Sequence, residues 1–385
     1  MKPVRVLLAI DSLRAGGAER QFAELVRRLD PERVRASVLL TTGGGPLLDL
    51  VPADRLETTV VLQKHGPLDL PRLALAVRRE IARLRPDVVH AWLWQTSVLA
   101  ALALAGTTRA NGPRFVVGQR VAYDRMFAED GLAGWVRRPF TAYRDRRADL
   151  VLVNARLLER RLAARLPGGS TRVRWIPNGI DVERVRPRET PMEHDLCAIG
   201  RLAPQKGFDV LLEALAILSR PDARVPRLAV AGDGPMRESL VRRAAELGLV
   251  DRVDFLGFVG DPLDRISRAR ALVLPSRYEG SPNAVLEAMA LARPVVASAV
   301  DGVLDLVRDG ETGFLVPPED PRALAEAIAR LLADPQRAEE MGRTGRARAE
   351  RAFSIGGIVE AYARVYETLA ASGAEADRSV FRTTW

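Results

Sequence analysis

The sequence predicts an α/β protein made of two doubly wound, Rossmann-like domains, each built on a parallel sheet. Short apolar runs alternate with amphipathic stretches of helical spacing along most of the 385-residue chain, as is typical of repeated βα units. A polar, proline-containing connection at residues 181–194 interrupts this alternation, which then restarts. The length also fits two domains better than one.

In the first half, six apolar runs are predicted to be strands: VRVLLAI, ASVLL, DVVHAW, RFVVGQ, DLVLVN and RVRWIPNGI. The segment GGAERQFAELVRRL, which follows the first of them, places Phe22, Leu25, Val26 and Leu29 on one helical face. Further helices are predicted near residues 73–84 and 97–105, in an Arg-rich segment, and after DLVLVN.

In the second half, the predicted strands are LCAIG, RLAVAG, RVDFLG, ALVLPS, PVVAS and GFLVP, and a long helical stretch begins at Pro321. We therefore expect one domain at residues 1–181 and a second at 182–353. Residues 354–385 should contain a C-terminal helix followed by a frayed tail, SGAEADRSVFRTTW.

Cysteine usage and hydropathy indicate where the protein works. A single cysteine, Cys197, excludes an internal disulfide framework and fits a reducing compartment. The longest apolar run, VLAALALAG, is well short of the roughly 20 residues that span a bilayer, and no signal-peptide pattern is visible. With 47% hydrophobic residues for its cores, the protein is expected to be cytoplasmic.

The formal net charge of +9 would suit nucleic acid, an anionic membrane or a phosphorylated substrate. The alternative is compositional bias, because nearly all the basic residues are arginines and lysine occurs only at positions 2, 64 and 206. Lys206 is therefore notable, since it lies in a predicted loop. No recognisable nucleic-acid-binding module or interleaved aromatic platform is present, so we expect no specific nucleic-acid partner.

One stretch, GWVRRPFTAYRDRR at residues 134–147, alternates aromatic or apolar residues with arginines. It predicts peripheral contact with an anionic membrane, at the inner face of the membrane. The alternative interpretation is a helix packed on its own sheet with a solvated basic face.

Ligands of open parallel sheets bind beyond the carboxyl ends of the strands, and two such sheets facing each other would form a central cleft. The loop and helix SRYEGSPNAVLEAMA carry two acids, Glu279 and Glu287, on either side of a Ser281–Pro282 helix start. The backbone amides at this helix start, near residues 282–284, are expected to form an anion site. The segment could hold a phosphate with sugar hydroxyls beside the acids; alternatively, both acids are ordinary surface residues.

Four other loops follow predicted strands. Gly16 and Gly17 would let the backbone approach a ligand at a helix start, and Arg201 with Lys206 would suit a diphosphate. Gly232 belongs to AGDGPMRESL, which lacks the third glycine of a dinucleotide fingerprint. The backbone near Phe258, at a strand end, could contact a base edge. Plain turns, a plain strand end and solvated bases are the alternatives.

No metal signature and no Ser-His-Asp or Cys-His arrangement is present. His90, in VVHAWLW, ends a predicted strand and could face the cleft, although a lone histidine is more often structural. We expect no metal and no cofactor.

Many segments, in order, resemble the retaining glycosyltransferases called glycosyl transferases group 1, or glycosyltransferase family 4-like. They are GGAER, IPNGID, GRLAPQKGFDVLLEAL, AGDGPMRESL, RVDFLGFV, PSRYEGSPNAVLEAMALARPVVAS and DGETGFLVPPEDPRALAEAI. They span nearly the whole chain, most densely residues 176–328, and include the Glu-x7-Glu pair of Glu279 and Glu287.

The resemblance implies a GT-B fold with an acceptor-binding domain at 1–181, a donor-binding domain at 182–353, and a C-terminal helix crossing back to the first domain. It implies that Glu287 binds the donor ribose, Glu279 contacts the transferred sugar, and Arg201 and Lys206 bind the diphosphate. The remaining donor-side candidates are Gly16, Gly17, Gly232, Phe258, Pro282, Asn283 and Ala284.

One departure concerns the acceptor side. Many relatives carry a histidine where RFVVGQR has Gln119 and Arg120, so a general-base histidine is not expected there. The acceptor-side candidates are His90, Trp92, Gln119 and Arg120. In this family, retention resembles same-face attack in which the leaving diphosphate takes the acceptor proton, with Arg201 and Lys206 stabilising its charge.

The sequence therefore predicts a retaining, metal-independent, hexosyltransferase-type enzyme. It would move sugar from a UDP- or GDP-sugar to a hydroxyl of a glycan or lipid-linked acceptor, in polysaccharide or glycolipid biosynthesis. A non-catalytic nucleotide-sugar-binding protein of the same fold is the alternative, and a nucleic-acid-binding protein is suggested by charge alone.

Overall fold

The computed structural model describes residues 2–14, 16–51, 53, 59–61, 69–108, 111–123, 127, 131–169, 172–219 and 225–371. The tail predicted from residue 372 lies outside these ranges. The chain divides into two compact units, Met1–Asn178 with Gly356–Trp385, and Gly179–Ile355.

Unit 1 contains a seven-stranded parallel sheet in the order β3-β2-β1-β4-β5-β6-β7. Its strands are β1 (Val4–Ile10), β2 (Val34–Leu40), β3 (Thr59–Val61), β4 (Val88–Trp92), β5 (Arg114–Gln119), β6 (Leu150–Val153) and β7 (Val173–Trp175). Its described α-helices are α1 (Gly17–Arg28), α2 (Leu70–Leu84), α3 (Trp94–Ala103), α4 (Leu132–Arg147) and α5 (Arg156–Arg165). A short 3-10 helix covers Pro46–Leu50.

The central strands β4, β5 and β6 of unit 1 are almost completely buried, which fits their largely apolar sequences, because strands of a parallel sheet are covered on both faces. Within β1, Leu8 lies between Val38 of β2 and His90 of β4. The predicted strands of this half are present, but the edge strand Thr59–Val61 was not predicted. Three residues are too few for a period-two pattern to be visible.

Unit 2 contains a six-stranded parallel sheet in the order β10-β9-β8-β11-β12-β13. Its strands are β8 (His194–Ile199), β9 (Leu228–Ala231), β10 (Val253–Gly257), β11 (Ala269–Leu274), β12 (Val295–Ser298) and β13 (Gly313–Val316). Its α-helices are α6 (Phe208–Leu218), α7 (Arg237–Glu246), α8 (Pro262–Ser267), α9 (Asn283–Ala290), α10 (Val303–Leu306), α11 (Pro321–Ala333) and α12 (Pro335–Ala352), with a 3-10 turn at Pro204–Lys206.

Three helices of unit 2 begin at an Asp-Pro pair. The carboxylates of Asp261, Asp320 and Asp334 accept hydrogen bonds from backbone amides of the first turn, at 3.0 Å from Leu263 and 2.9 Å from both Ala323 and Arg337. The proline that follows each aspartate fits the first helical position, where no amide hydrogen is needed.

The strand order of unit 2 reverses direction between β8 and β11. The chain continues from β8 outward through β9 and β10, and then returns to pair β11 with the other side of β8. The loops that follow β8 and β11 therefore diverge from neighbouring carboxyl ends. Such a topological switch point is where open α/β sheets bind ligands.

The last described helix, α13 (Ile355–Ala371), packs on unit 1 although it follows unit 2 in the chain. The Tyr366 hydroxyl lies 2.7 Å from His90 Nδ1 inside the core. Arg33 forms ion pairs with Glu360 at 2.6 Å and with Glu367 at 2.8 Å. The helix is thus attached to unit 1 by a buried aromatic contact and a partly exposed ionic one.

Candidate functional site

Two oppositely charged side chains meet at the switch point of unit 2. Lys206 follows β8, and Glu279 follows β11. Lys206 Nζ donates to Glu279 Oε1 at 2.5 Å, and Ser276 Oγ donates to the same oxygen at 2.7 Å. Glu279 is only 7% exposed, so its charge is balanced by a cation inside a largely desolvated loop.

Close backbone packing holds these loops together. Gly207 adopts a left-handed φ of 64° directly after Lys206, and a Cβ there would lie 2.1 Å from the Pro275 carbonyl oxygen. Gly232, at a φ of 143°, would place a Cβ 2.0 Å from the Gly200 carbonyl oxygen. Only glycine permits such approaches, so Gly232 has a clear packing role beside the site.

Arg201 supplies a second positive charge on the loop that carries Lys206. It is exposed, and its guanidinium forms no hydrogen bond or ion pair with any residue that the structure describes. The Lys206 ammonium has three N–H donors, of which Glu279 takes one, so both cations of this loop can contact an anionic ligand.

The start of α9 differs from its prediction. The helix begins at Asn283, and Pro282 remains extended, with a ψ of 118° and no side-chain cap. Ser281 is therefore not the N-cap. The cause is the packing of the preceding loop, because a Cβ on Gly302 would overlap the Gly280 carbonyl and would lie 3.1 Å from Ser281 Cα.

This shift also changes which groups can meet an anion. Pro282 has no amide hydrogen, so it cannot be one of the predicted donors. Asn283 and Ala284 lie in the first turn of α9 and are half-buried, in the position where helix amides favour negative charge.

Glu287 lies one turn further along α9 and is 5% exposed. It belongs to the segment Val285–Ala290, all of which α9 buries. The other donor-side candidate of this unit, Phe258, directly follows β10 and has a side chain that is 73% exposed.

Gly16 and Gly17 lie at the start of α1, in unit 1. Gly16 is the N-cap and has no side-chain cap, and the Glu19 carboxylate lies against it, so that a Cβ on Gly16 would be 2.1 Å from Glu19 Oε2. Burial raises the pKa of Glu19, and the nearby charge of Asp11 raises it further. The Glu19 carboxylate thus lies beside the N-terminus of α1.

The four acceptor-side candidates are all buried in unit 1. The expectation that His90 faces an opening is wrong, because it is 0% exposed and burial lowers the pKa of its ring. The Arg120 guanidinium carbon lies 3.6 Å from the Trp92 ring centroid, and Nη2 donates to the Tyr362 hydroxyl at 2.5 Å. His90, Trp92 and Arg120 therefore form one cluster with α13.

Gln119 belongs to a second buried polar group. Its Oε1 accepts from Arg144 Nη2 at 3.0 Å, and its Nε2 donates to the Val121 carbonyl at 3.1 Å. Arg144 also pairs with Asp145 at 2.5 Å. The side chains of Gln119 and Arg144 are thus engaged in the interior of unit 1.

The structure also places near the switch points several residues that the sequence analysis did not identify. Ser276 donates directly to Glu279, as described above, and Arg277 contacts both switch-point loops. In unit 1, Asp11 after β1 accepts from Thr96 after β4, across the corresponding switch point. The available signal was position alone: each residue lies within a few positions of a strand's carboxyl end.

Part of the basic and aromatic stretch on α4 forms an exposed surface. Trp135 is 70% and Val136 60% exposed, and Phe140 is also exposed, with Arg138 and Arg146 exposed nearby. Arg144 is buried, and Arg147 donates to the Leu104 and Thr107 carbonyls. We call Trp135, Val136, Arg138, Phe140 and Arg146 the α4 surface.

Two features are absent from the described residues. No three His, Cys, Asp or Glu side chains among them cluster as potential metal ligands. No helix in the described part of the chain combines the length and apolar character needed to span a bilayer.

Comparison with known proteins gives consistent matches. Residues 180–348 match the family described as Glycosyl transferases group 1, and residues 15–184 match Glycosyltransferase Family 4. The chain is 32% identical over 315 residues, 74% of its length, to the GDP-mannose-dependent alpha-(1-6)-phosphatidylinositol monomannoside mannosyltransferase of Mycolicibacterium smegmatis, covering 78% of that protein.

A shorter match reaches 37% identity over 173 residues with the alpha-D-kanosaminyltransferase of Streptomyces kanamyceticus, and covers 44% of this chain and 45% of that protein. Among solved structures, Anabaena HepE in complex with UDP and glucose is similar, with a TM-score of 0.79 at 23% identity, over 96% of this chain and 100% of that one. At that identity the likeness concerns the fold, which is the two-domain, Rossmann-like GT-B fold.

Proposed function

Because the chain belongs to the glycosyl transferases group 1 family, and is therefore a glycosyltransferase, we propose that it is a retaining, metal-independent, hexosyltransferase-type enzyme. It moves a sugar from a nucleotide-diphosphate-sugar to a hydroxyl of a glycan or lipid-linked acceptor. UDP- and GDP-sugars are the proposed donors. The names of relatives support this range, since one is GDP-mannose-dependent and a structural neighbour is complexed with UDP and glucose.

The observation that carries the proposal is the contact of Lys206 with Glu279 across the switch point of unit 2. It joins a cation suited to a diphosphate and an acid suited to sugar hydroxyls at the place where open α/β sheets bind ligands. Arg201 adds a planar guanidinium that can form two parallel hydrogen bonds to phosphate oxygens.

In the proposed complex, Glu287 accepts hydrogen bonds from the donor ribose, and the first turn of α9 faces the phosphates. Glu279 accepts from hydroxyls of the transferred sugar. Its Oε1 is held by Lys206 and Ser276, and no described residue donates to Oε2. One carboxylate oxygen therefore anchors the side chain, while the other is available to the sugar.

The reaction that fits these groups is attack by the acceptor hydroxyl on the same face of the sugar from which the diphosphate leaves. The bond between the anomeric carbon and the diphosphate oxygen breaks, a bond to the acceptor oxygen forms, and the acceptor proton passes to the diphosphate. Charge develops on the leaving group, so fixed cations accelerate the step. Arg201 and Lys206 are the proposed cations in place of a metal.

The proposal includes peripheral contact of the α4 surface with an anionic membrane, on the cytoplasmic side. Exposed Trp135 and Phe140 beside Arg138 and Arg146 support it, because aromatic side chains suit the membrane interface and each basic residue near an anionic surface contributes about 1 kcal/mol. A lipid-linked acceptor would be reached from such a position.

Two measurements test the catalytic proposal. Thermal unfolding with a panel of UDP-, GDP- and ADP-sugars identifies the donor, since a ligand that binds the native state raises the midpoint. Release of UDP or GDP, and transfer of radiolabelled sugar, then distinguish an enzyme from a non-catalytic nucleotide-sugar-binding protein. Stabilisation by a donor without any turnover would refute the enzymatic assignment.

A further inference from the structure

Arg277 lies two residues before Glu279 and is bound to the opposite loop of the switch point. Its backbone amide donates to the Gln205 carbonyl at 2.8 Å. In return, Gln205 Nε2 donates to the Tyr278 carbonyl at 3.0 Å. The loop that carries Glu279 is thereby joined to the turn that carries Lys206 by hydrogen bonds in both directions.

The Arg277 side chain reinforces this junction. Its two terminal nitrogens donate to the two Asp209 carboxylate oxygens at 3.0 and 2.8 Å, and Nη1 also donates to the Pro204 carbonyl at 2.6 Å. Pro204 begins the turn that ends at Lys206, and Asp209 lies in the first turn of α6, just beyond it. The guanidinium therefore binds the chain on both sides of Lys206, at Pro204 before it and at Asp209 after it.

A third segment is attached to the same guanidinium. Arg277 Nε donates to Glu319 Oε1 at 2.9 Å, beyond the end of β13. Glu319 has a φ of 62°, a left-handed conformation that is unfavourable for a residue with a Cβ. Arg277 therefore also contacts a residue in an unfavourable backbone conformation.

The electrostatics fit this geometry. Hydrogen bonds to Asp209, and to a lesser extent Glu319, raise the pKa of Arg277 although its partial burial opposes its charge. Burial would raise the pKa of Asp209, but the hydrogen bonds and charge of Arg277 keep it below its ordinary value. Both groups therefore remain charged over a wide pH range.

A lysine could not reproduce these contacts. The planar guanidinium directs its donors to two carboxylates and a carbonyl at once, whereas an ammonium is a compact point charge on a flexible stem. The arrangement thus depends on arginine in particular.

We propose that Arg277 is a positioning residue for sugar transfer, which holds Lys206 and Glu279 in contact across the switch point. This inference rests on the proposed function. Arg277 acts through those two residues and not on the substrate. Because a displacement of about 1 Å can reduce a rate about 100-fold, loss of the Arg277 contacts should reduce turnover more than nucleotide binding.

The test compares Arg277→Ala and Arg277→Lys with Arg268→Ala as a matched control. Arg268 precedes β11 at the opposite end from the site and also holds two acids, Asp264 at 2.9 Å and Glu193 at 2.6 Å. Binding of UDP and GDP is measured by calorimetry, turnover by nucleotide release from UDP-glucose and GDP-mannose, and folding by thermal unfolding.

We expect about a 10- to 100-fold loss of turnover for Arg277→Ala, a smaller loss for Arg277→Lys, and a change of less than about threefold in nucleotide affinity. Arg268→Ala should keep wild-type turnover. If Arg277→Ala does not fold, Arg277→Lys and Asp209→Asn provide the same comparison. Turnover equal to that of the control would overturn the inference.

A double-substitution cycle separates positioning from a general structural role. If Arg277 acts through Lys206, adding Arg277→Ala to Lys206→Met should reduce turnover by less than about twofold beyond Lys206→Met alone, since residues that act as a unit are not additive. Full additivity would overturn the inference while leaving the glycosyltransferase proposal intact. A wild-type protein with neither nucleotide binding nor turnover would overturn both.

Discussion

Lys206 Nζ lies 2.5 Å from Glu279 Oε1, although the two residues are 73 positions apart in the chain. The pair joins the loops of two adjacent parallel strands, and the acid is almost completely buried. We expect Lys206→Met, which keeps the stem and removes the charge, to reduce turnover about 100-fold or more, in the range observed when a group that stabilises developing charge is lost.

The same substitution should lower the free energy of unfolding by about 1–3 kcal/mol, since it leaves the buried Glu279 carboxylate without its cation and with only the Ser276 hydroxyl donating to it. Adding Glu279→Gln should restore stability but not turnover. Lys2→Met, at an exposed lysine of unit 1, is the control. Recovery of turnover in the double variant would contradict the assigned roles.

Glu287→Ala should weaken donor binding roughly 10- to 100-fold. Hydrogen bonds to a charged group contribute about 1.5–3 kcal/mol, and about 1.4 kcal/mol corresponds to one decade of affinity. Glu287→Gln should weaken it less, because one acceptor oxygen remains. Calorimetric titration with UDP and GDP measures both effects.

Because Glu287 is buried, its substitution should also change the free energy of unfolding. The alanine variant should lose roughly 1–3 kcal/mol of unfolding free energy, because it removes a buried polar side chain and leaves a space on α9, whereas the glutamine variant should unfold near the wild-type midpoint. The glutamine variant therefore reports on binding alone. Wild-type nucleotide affinity in a folded Glu287→Ala protein would make the residue purely structural.

Chelation should leave sugar transfer largely intact. The positive charge that a divalent cation would supply to the diphosphate is assigned to Arg201 and Lys206, so saturating EDTA should change the initial rate less than about twofold. The assay follows UDP or GDP release before and after chelation. Loss of activity that magnesium or manganese restores would refute metal independence.

The α4 surface should bind anionic vesicles. In flotation at low salt, the protein should rise with vesicles that contain phosphatidylglycerol but not with phosphatidylcholine alone. Arg138→Glu with Arg146→Glu should weaken binding by about 30-fold or more, since each arginine contributes about 1 kcal/mol. Trp135→Ala should weaken it as well.

Val250→Ser, at an exposed apolar residue of unit 2, provides the control for this experiment. A protein that stays at the bottom of the gradient at low salt would rule out the membrane contact. Arg144 and Arg147 are excluded from the variants because their contacts lie within unit 1.

Local sequence determined most of the strands and helices. A parallel strand covered on both faces must be apolar along its length, as β6 is and as β1 is from Val6 onward, and Asp-Pro pairs mark three helix starts in unit 2. The pattern failed where local signals were weak or were overridden. Strand Thr59–Val61 is too short for a detectable period, and the helix after Ser281 starts late because the preceding loop packs on Gly302.

The residue types of the candidate site were also recognisable from the sequence, since Lys206 and Glu279 each follow an apolar strand and lie in segments that resemble a known family. The contact between Lys206 and Glu279 could not be predicted from the sequence, because it depends on β8 and β11 being neighbours in the sheet. Strand order is set by which apolar faces and backbone groups pair across long separations, and a one-dimensional pattern does not contain that information.

Packing between distant segments also explains why His90 is buried. Its position at a strand end suggested an open site, but α13, which is 265 or more positions further along the chain, covers it with Tyr362 and Tyr366. The sequence by itself determined the elements, the fold class and the chemical groups near the strand ends. Only the tertiary structure decided which of those groups are buried and which meet, because burial and contact arise from packing between distant segments.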